Sequence, residues 1–322
     1  MDTRNLRGTS LTVSRACFGT MTFGLQNDEA GARRMVDLCL DRGVNFFDTA
    51  NVYSFGEAET MLGKALKGRR DRVVLASKAG LRMGDRPGES GLSQAAILRA
   101  IDQSLARLQT DYLDIYYLHS PDWVVPLPET LDAMERLVRA GKVRFPGSSN
   151  YAGWQVCQMQ WLAEKHGYQP TVISQPMYNL LARGIEQEYA AMCQEFGISM
   201  VVFNPLAGGL LTGKQHRERP APGTRFDKVP MYIDRYWHPA YFDAVDELRG
   251  VAEGAGRSMV DLALSWLLHH TSTDCVILGA STEAQLAQNL DAFEGQRLGR
   301  DVLDACDAVW QKLRGVAPKY NR

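Results

Sequence analysis

The sequence predicts an α/β protein: a closed (β/α)8 TIM barrel with an N-terminal β-hairpin and an extra C-terminal helix. Eight short apolar runs alternate with helical patterns along the 322 residues. The runs are apolar throughout, as parallel strands covered on both faces must be. No Pro/Ser-rich linker breaks the rhythm, and no G-x-G-x-x-G follows any run. The pattern therefore fits one domain over residues 1–322 and a barrel better than an open, doubly wound dinucleotide-binding sheet.

Leu6 to Val13 alternate around a Gly8-Thr9 turn signal and predict the hairpin. A first barrel strand follows at Arg15 to Gly19. Asp28 is a fair cap for a helix to Arg42, with Met35, Val36, Cys39 and Leu40 at helical spacing and Gly43 as its stop. Strand Val44 to Phe47, helix Glu57 to Leu66 and strand Val73 to Ser77 come next. A glycine-rich loop, Gly80 to Gly91, leads to Ser93, which can cap a helix with Ile97, Ile101, Leu105 and Leu108 on one face.

Strand Leu113 to Leu118, helix Pro128 to Ala140 and strand Lys142 to Phe145 continue the alternation. Helix Ala152 to His166, strand Thr171 to Ser174, helix Ile185 to Phe196 and strand Ser199 to Phe203 follow. Asn204 to Tyr236 is long and poorly periodic. Two helices come next, Pro239 to Glu253 and Val260 to His269, the second capped by Ser258. Cys275 to Leu278 is the last barrel strand. Helix Glu283 to Ala292 and a tail helix, Arg300 to Leu313, end the pattern.

Barrel chemistry gathers at the C-terminal ends of the strands. This register puts Gly19 and Thr20 after strand one, Asp48 and Tyr53 after two, Lys78 after three and His119 after four. Ser148, Ser149 and Asn150 follow strand five, Gln175 six, Asn204 seven, and Gly279, Ala280 and Ser281 eight. Singly, each has an ordinary explanation as a turn cap, loop residue or surface charge. Jointly they form an acid. A tyrosine titrates near about 10; a neighbouring ammonium stabilises its phenolate and lowers that value. A buried ammonium needs a carboxylate partner, and Asp48 is available. A histidine beside the phenol can orient a carbonyl oxygen or share the proton. No Ser or Cys triad is visible, so the group that attacks carbon belongs to a cofactor.

Composition removes other classes. Lys plus Arg number 36 against 37 for Asp plus Glu, a net charge of -1 that recruits neither nucleic acid nor an acidic membrane. Arg69, Arg70 and Arg72 enclose Asp71 and read as a solvated turn. The start of the chain lacks the apolar core of a signal peptide, and no apolar run approaches about 20 residues. Six scattered cysteines without C-x-x-C suit a reducing cytoplasm, and the six histidines show no metal-ligand spacing.

The motifs carry a family likeness. G-T-M-T-F-G (Gly19 to Gly24), F-D-T-A-N-V-Y-S-F-G-E-A-E (Phe47 to Glu59), L-A-S-K (Leu75 to Lys78) and D-Y-L-D-I-Y-Y-L-H (Asp111 to His119) come first. G-S-S-N (Gly147 to Asn150), Q-P-M-Y-N-L-L-A-R (Gln175 to Arg183), P-L-A-G-G-L-L-T-G-K (Pro205 to Lys214) and I-L-G-A-S-T-E-A-Q-L-A-Q-N (Ile277 to Asn289) complete the series. In this order the chain resembles an aldo-keto reductase over nearly all its length, most of all the bacterial branch and the potassium-channel beta subunits.

That resemblance implies a catalytic tetrad of Asp48, Tyr53, Lys78 and His119, with Tyr53 as the acid in carbonyl reduction, and NADP(H) extended across the barrel mouth. Ser149, Asn150 and Gln175 would hold the carboxamide, and Phe203 would stack on the nicotinamide. Leu206, Gly208, Leu210 and Lys214 would cover the pyrophosphate. Gly279, Ser281, Gln285, Gln288 and Asn289 would meet the adenosine end. Gly19, Thr20, Met21, Asp48, Asn204, Pro205 and Arg225 complete the expected cofactor contacts. The form I-L-G-A-S replaces an I-P-K-S style segment, so Lys214, Arg217 or Arg225 would supply charge for the 2′-phosphate.

Phe203-Asn204-Pro205 stands where tyrosine-serine-proline is commoner, Pro146 lies at a strand end that usually carries an aliphatic residue, and Ser10 replaces a hairpin glycine. Met21, Phe23, Tyr53, Phe55, Trp123 and Trp237 are the candidate substrate-pocket residues. They imply a small-molecule aldehyde or ketone with apolar or aromatic parts. A non-catalytic NADP-binding subunit is the alternative, and a Schiff-base lyase on Lys78 a distant third, because Asp48 would keep that amine charged. The substrate, reaction direction and oligomeric state are open.

Overall fold

The structure is a computed structural model that describes residues 1–84 and 89–316. Ten strands are present: β1 (Thr3–Asn5), β2 (Thr12–Ser14), β3 (Ala16–Gly19), β4 (Phe46–Asp48), β5 (Val74–Ala79), β6 (Leu113–Leu118), β7 (Val143–Ser149), β8 (Ile173–Gln175), β9 (Ser199–Val202) and β10 (Cys275–Leu278). β1 and β2 form the antiparallel hairpin; the other eight close in the order β10-β3-β4-β5-β6-β7-β8-β9, every pair parallel. The (β/α)8 expectation holds.

Helices α1 (Glu29–Asp41), α2 (Glu57–Ala65), α3 (Gln94–Leu108), α4 (Leu127–Arg139), α5 (Gly153–His166) and α6 (Tyr189–Glu195) surround the barrel. They are followed by α7 (Arg225–Lys228), α8 (Pro230–Tyr236), α9 (Pro239–Gly254), α10 (Met259–His270), α11 (Glu283–Asp291) and α12 (Arg300–Arg314). The expected caps form: Asp28, Ser93 and Ser258 each accept a backbone N–H in the first turn of α1, α3 and α10.

The strand period of two divides the core. Inward residues Cys17, Phe46, Val74, Ala76, Ile115, Tyr117, Ile173, Val201, Cys275 and Ile277 fill the barrel. Their outward neighbours Phe18, Phe47, Leu75, Tyr116 and Leu118 pack under the helices. The hairpin explains its own position: Leu6, Leu11 and Val13 join the inward cluster and plug the barrel's N-terminal end.

Several boundaries differ from the sequence reading. The hairpin strands stop short of its turn, β1 ending at Asn5 and β2 starting at Thr12, because the Leu6 N–H bonds Leu11 O at 2.9 Å and both leucines belong to the plug, not the ladder. β5 runs on to Ala79 and β7 to Ser149, because polar Lys78 and Ser148 still pair their backbones with Tyr117 and Leu118. Pro146 thus lies inside a barrel strand, and the ladder to β8 begins one residue later at Gly147. Ile185 to Phe196 is a single turn, Gly184–Glu186, followed by the shorter α6. Asn204 to Tyr236 contains a kinked turn at Ala207–Thr212 and then α7 and α8. Of the glycine-rich loop, Gly80 and Gly91 have left-handed backbones, and residues 85–88 lie outside the described residues.

Candidate active site

The same period of two builds the site. Two residues beyond the inward Phe46 comes Asp48; beyond Ala76, Lys78; beyond Tyr117, His119; beyond Ile173, Gln175; beyond Val201, Phe203; beyond Ile277, Gly279. Each lies at the C-terminal end of its strand, one layer above the apolar plug.

Lys78 is fully buried, and Asp48 is 2% exposed. The Lys78 ammonium bonds the Asp48 carboxylate and donates to Thr49 O at 2.8 Å. Its Nζ lies 3.5 Å from the Tyr53 hydroxyl. Gln175 Nε2 donates to the second Asp48 oxygen at 2.9 Å. A buried carboxylate needs this many donors to stay charged. Gln175 therefore has a use the sequence did not reveal: it closes the oxygen that Lys78 leaves open. The His119 ring stands edge-on to Tyr53, with centroids 6.0 Å apart.

The electrostatics follow from burial. Burial pushes the Asp48 carboxyl above its ordinary value, with Lys78 and Gln175 pulling it back. Burial also works to strip Lys78 of its proton, but Asp48 and Tyr53 outweigh it, and the ammonium is held above its usual range. Tyr53 corrects the expectation of a lowered pKa. Burial of its hydroxyl raises it, Lys78 offsets only part of that rise, and the Asp48 charge adds to it. Burial and then Lys78 push His119 down to about 3, so its imidazole is neutral at ordinary pH. The His119 Nδ1 atom is buried and has no hydrogen-bond partner among the described residues.

Around this centre the β7 end is ordered by its neighbours. Ser149 Oγ donates to Gln175 O at 2.9 Å, and Asn150 Nδ2 donates to His119 O at 2.8 Å. Asn150 has φ 62°, a left-handed backbone that asparagine tolerates better than most residues. Asn204 has the same habit, φ 63°, and does structural work there. Its Oδ1 accepts from the Gly208 N–H at 2.6 Å and its Nδ2 donates to the Tyr236 hydroxyl at 2.8 Å. Asparagine at this position thus holds the turn that carries Leu206, Gly208 and Leu210.

At the far end, Arg225 lies against Gly279: a Cβ built there would sit 2.8 Å from the guanidinium. Arg225 donates to the Tyr232 hydroxyl at 3.3 Å and has no carboxylate partner among the described residues. Arg217 is committed to Asp243 and Asp246, at 2.7 and 3.0 Å. Lys214 is exposed. The Ser281 N–H donates to Gln285 Oε1 at 3.0 Å, and Asn289 donates to Gly279 O at 3.3 Å; Gln288 faces solvent.

Residues 15–311 match the family described as Aldo/keto reductase family. The chain belongs to the aldo/keto reductases. These are oxidoreductases, and their usual cofactor is a nicotinamide nucleotide. Among its relatives is an uncharacterised oxidoreductase, YrpG, of Bacillus subtilis (strain 168), 36% identical over 99% of both chains. Another is aflatoxin B1 aldehyde reductase member 2 of Homo sapiens, 36% identical over 94% of this chain and 88% of that one. A probable voltage-gated potassium channel subunit beta of Oryza sativa subsp. japonica is 32% identical over 97% of each.

The barrel mouth of this aldo/keto reductase suits such a cofactor. Thr20 Oγ1, Thr49 Oγ1 and Asn51 Oδ1 are buried without partners among the described residues, at the ends of β3 and β4. Buried polar atoms left unmet near the strand ends are what a polar ligand would satisfy. Gly279, with no Cβ, leaves the room that Arg225 fills.

The expected substrate-pocket set is divided. Tyr53 and Met21 are half-buried, while Phe55 is 79% and Trp123 78% exposed. Trp237 is half-buried between Phe226 and Phe242, at 5.3 and 4.9 Å between centroids. Phe23 is a correction. It is 0% exposed and packs edge-on against Phe18 at 5.8 Å, so its ring belongs to the core and presents no surface to a pocket. Leu210 is likewise buried, which leaves only its backbone for a ligand. One residue was missed. Glu59 reads as a helix-opening carboxylate, yet it is fully buried and bonded to Ser77 and Arg107.

Proposed function

We propose that this chain is an NADPH-dependent reductase of aldehydes or ketones, working in the cytoplasm on a small-molecule carbonyl substrate. The observation that carries the reading is the buried contact of Lys78 with both Asp48 and the Tyr53 hydroxyl. When bound, the nicotinamide supplies a hydride to the carbonyl carbon. Tyr53 is the general acid that protonates the oxygen. Lys78 stabilises the phenolate left behind, and Asp48 keeps Lys78 charged in a site where burial alone would discharge it. His119 is neutral and presents a hydrogen-bonding edge beside Tyr53, which orients the carbonyl oxygen rather than competing as a second acid.

Ser149, Asn150 and Gln175 would hold the carboxamide, Phe203 would face the nicotinamide ring, and the Leu206 to Leu210 turn with Lys214 would lie over the pyrophosphate. Gly19, Thr20, Met21 and Pro205 line the remainder. Ser281, Gln285, Gln288 and Asn289 serve the adenosine end, where the amides opening α11 also favour a phosphate. Arg225 is the preferred 2′-phosphate ligand. Arg217 already has two carboxylates, whereas among the described residues the Arg225 guanidinium has the Tyr232 phenol, hydroxyl and ring, to leave. The exposed rings of Phe55 and Trp123 favour substrates with apolar or aromatic parts.

A second reading, an NADP-binding auxiliary subunit with little turnover, is favoured by the full-length match to a protein described as a channel beta subunit. A screen of aldehydes and ketones with NADPH and with NADH, against a Tyr53→Phe control, separates the two. Cofactor oxidation above that control, faster with NADPH, supports the reductase. Tight NADPH binding with no turnover on any substrate would leave the auxiliary reading.

A further inference from the structure

Glu59 is a fully buried carboxylate outside the tetrad, and its contacts join three elements. It lies in α2, the helix that continues directly from the Tyr53–Gly56 turn. Its Oε1 accepts from Ser77 Oγ at 2.5 Å, and its Oε2 accepts from Arg107 Nε of α3 at 2.7 Å. Ser77 immediately precedes Lys78 on β5. Alternation turns Lys78 into the barrel and Ser77 outward under α2. The same arginine runs past the turn itself: a Cβ on Gly56 would meet Arg107 Cδ and Nε at 2.8 Å. Only a glycine, here at φ 92°, admits both that backbone and that side chain.

The turn needs such a hold. Ser54 and Phe55 have φ of 48° and 52°, left-handed values that strain a non-glycine residue. Left to itself the turn would relax, and Tyr53 would move with it. The Ser54 hydroxyl bonds Phe23 O at 2.7 Å on one side, and Glu59 with Arg107 holds the other.

We propose that Glu59 is a positioning residue: through Ser77 and Arg107 it clamps the Tyr53 turn to the strand that carries Lys78, and so sets the distance between phenol and ammonium. This inference rests on the carbonyl-reductase reading for its effect on turnover, but not for its effect on the Tyr53 proton.

The test uses full-length Glu59→Gln and Ser77→Ala, with Lys64→Ala as a control. Lys64 is on the same helix and only forms an exposed pair with Glu29. Misplacing a reacting group by about 1 Å costs on the order of a hundredfold. Glu59→Gln and Ser77→Ala are therefore expected to lower kcat for NADPH-dependent reduction of 4-nitrobenzaldehyde about ten- to a hundredfold, with KM and NADPH affinity little changed. Lys64→Ala is expected to match wild type. A second readout needs no turnover: titrate tyrosinate absorbance in each protein and subtract its Tyr53→Phe partner. With Lys78 farther from the phenol, the midpoint rises in Glu59→Gln and Ser77→Ala.

Should Glu59→Gln fail to fold, Ser77→Ala decides, because it removes one hydroxyl and no charge. Wild-type kcat and wild-type midpoint in Ser77→Ala, or lower melting temperature as its sole change, would overturn the proposal. Absence of turnover in wild type itself would instead refute the reductase reading, and the tyrosinate midpoint would still judge Glu59.

Discussion

The Lys78 ammonium bonds the Asp48 carboxylate and, from the same nitrogen, reaches the Tyr53 hydroxyl at 3.5 Å. One buried cation thus joins a carboxylate that keeps it charged to a phenol. Removing either neighbour has a different consequence, and that difference is measurable.

Lys78→Met leaves Asp48 buried without its partner. Breaking a buried pair from one side costs about 3–5 kcal/mol, whereas replacing both members is close to neutral. Thermal unfolding is therefore expected to show Lys78→Met clearly below wild type and the Asp48→Asn, Lys78→Met double variant above it. Activity is lost in both. A double variant no more stable than the single one would mean that the pair is not coupled as described.

If Tyr53 is the acid of the proposed reduction, it sets the alkaline limit. The acid must carry its proton, so activity is present below the Tyr53 pKa and is lost as pH rises through it. Burial holds that pKa above the ordinary tyrosine value, so the limb in kcat/KM for the free enzyme lies above about 10. Lys78→Arg, which keeps a charge nearby, is expected to retain such a limb. A limb near neutrality in the wild-type profile would contradict the burial argument.

His119 leaves its mark on stability. Its pKa falls from about 6.5 in an unfolded chain to about 3 here. Between those values the unfolded state binds the extra proton, so stability rises with pH. The contribution is whole above about 6.5 and is lost as pH falls toward about 3. Urea unfolding of His119→Asn is expected to show a weaker loss of stability across that window, by about 1 kcal/mol or more near its acid end. Parallel wild-type and variant curves would show that the imidazole titrates normally.

The fold was legible because parallel barrel strands write themselves as short apolar runs; Asp48, Lys78 and His119 stood out because each lies at the end of such a run, whereas Tyr53 sits beyond β4 in the Tyr53–Gly56 turn. What stayed hidden was hidden for physical reasons. Phe23 looked like a pocket residue because ring and loop position say nothing about which way a side chain turns; it turns into Phe18. Glu59 looked like a helix-opening acid because its partners, Ser77 and Arg107, lie 18 and 48 residues away. The raised Tyr53 pKa depended on burial of the hydroxyl, which competes with Lys78 and cannot be read from spacing. Arg217 and Arg225 look alike until the acids beside Arg217 are in view.

On the proposed reading, Arg225 separates the two nicotinamide nucleotides. A guanidinium that meets the 2′-phosphate contributes to NADPH and not to NADH. Arg225→Met is expected to weaken NADPH binding about ten- to a hundredfold, as loss of a charge-assisted bond does, and to leave NADH within about threefold. Fluorescence titration with both nucleotides checks this. Equal losses for both would assign Arg225 to the pyrophosphate or to the fold.

The central claim is that Tyr53 donates the proton to a carbonyl oxygen. The most direct measurement is steady-state reduction of 4-nitrobenzaldehyde by NADPH in wild type and Tyr53→Phe, with NADPH affinity determined for both. Loss of the general acid is expected to lower kcat about 10²- to 10⁴-fold while NADPH still binds with wild-type affinity. Equal kcat in the two proteins would contradict the account.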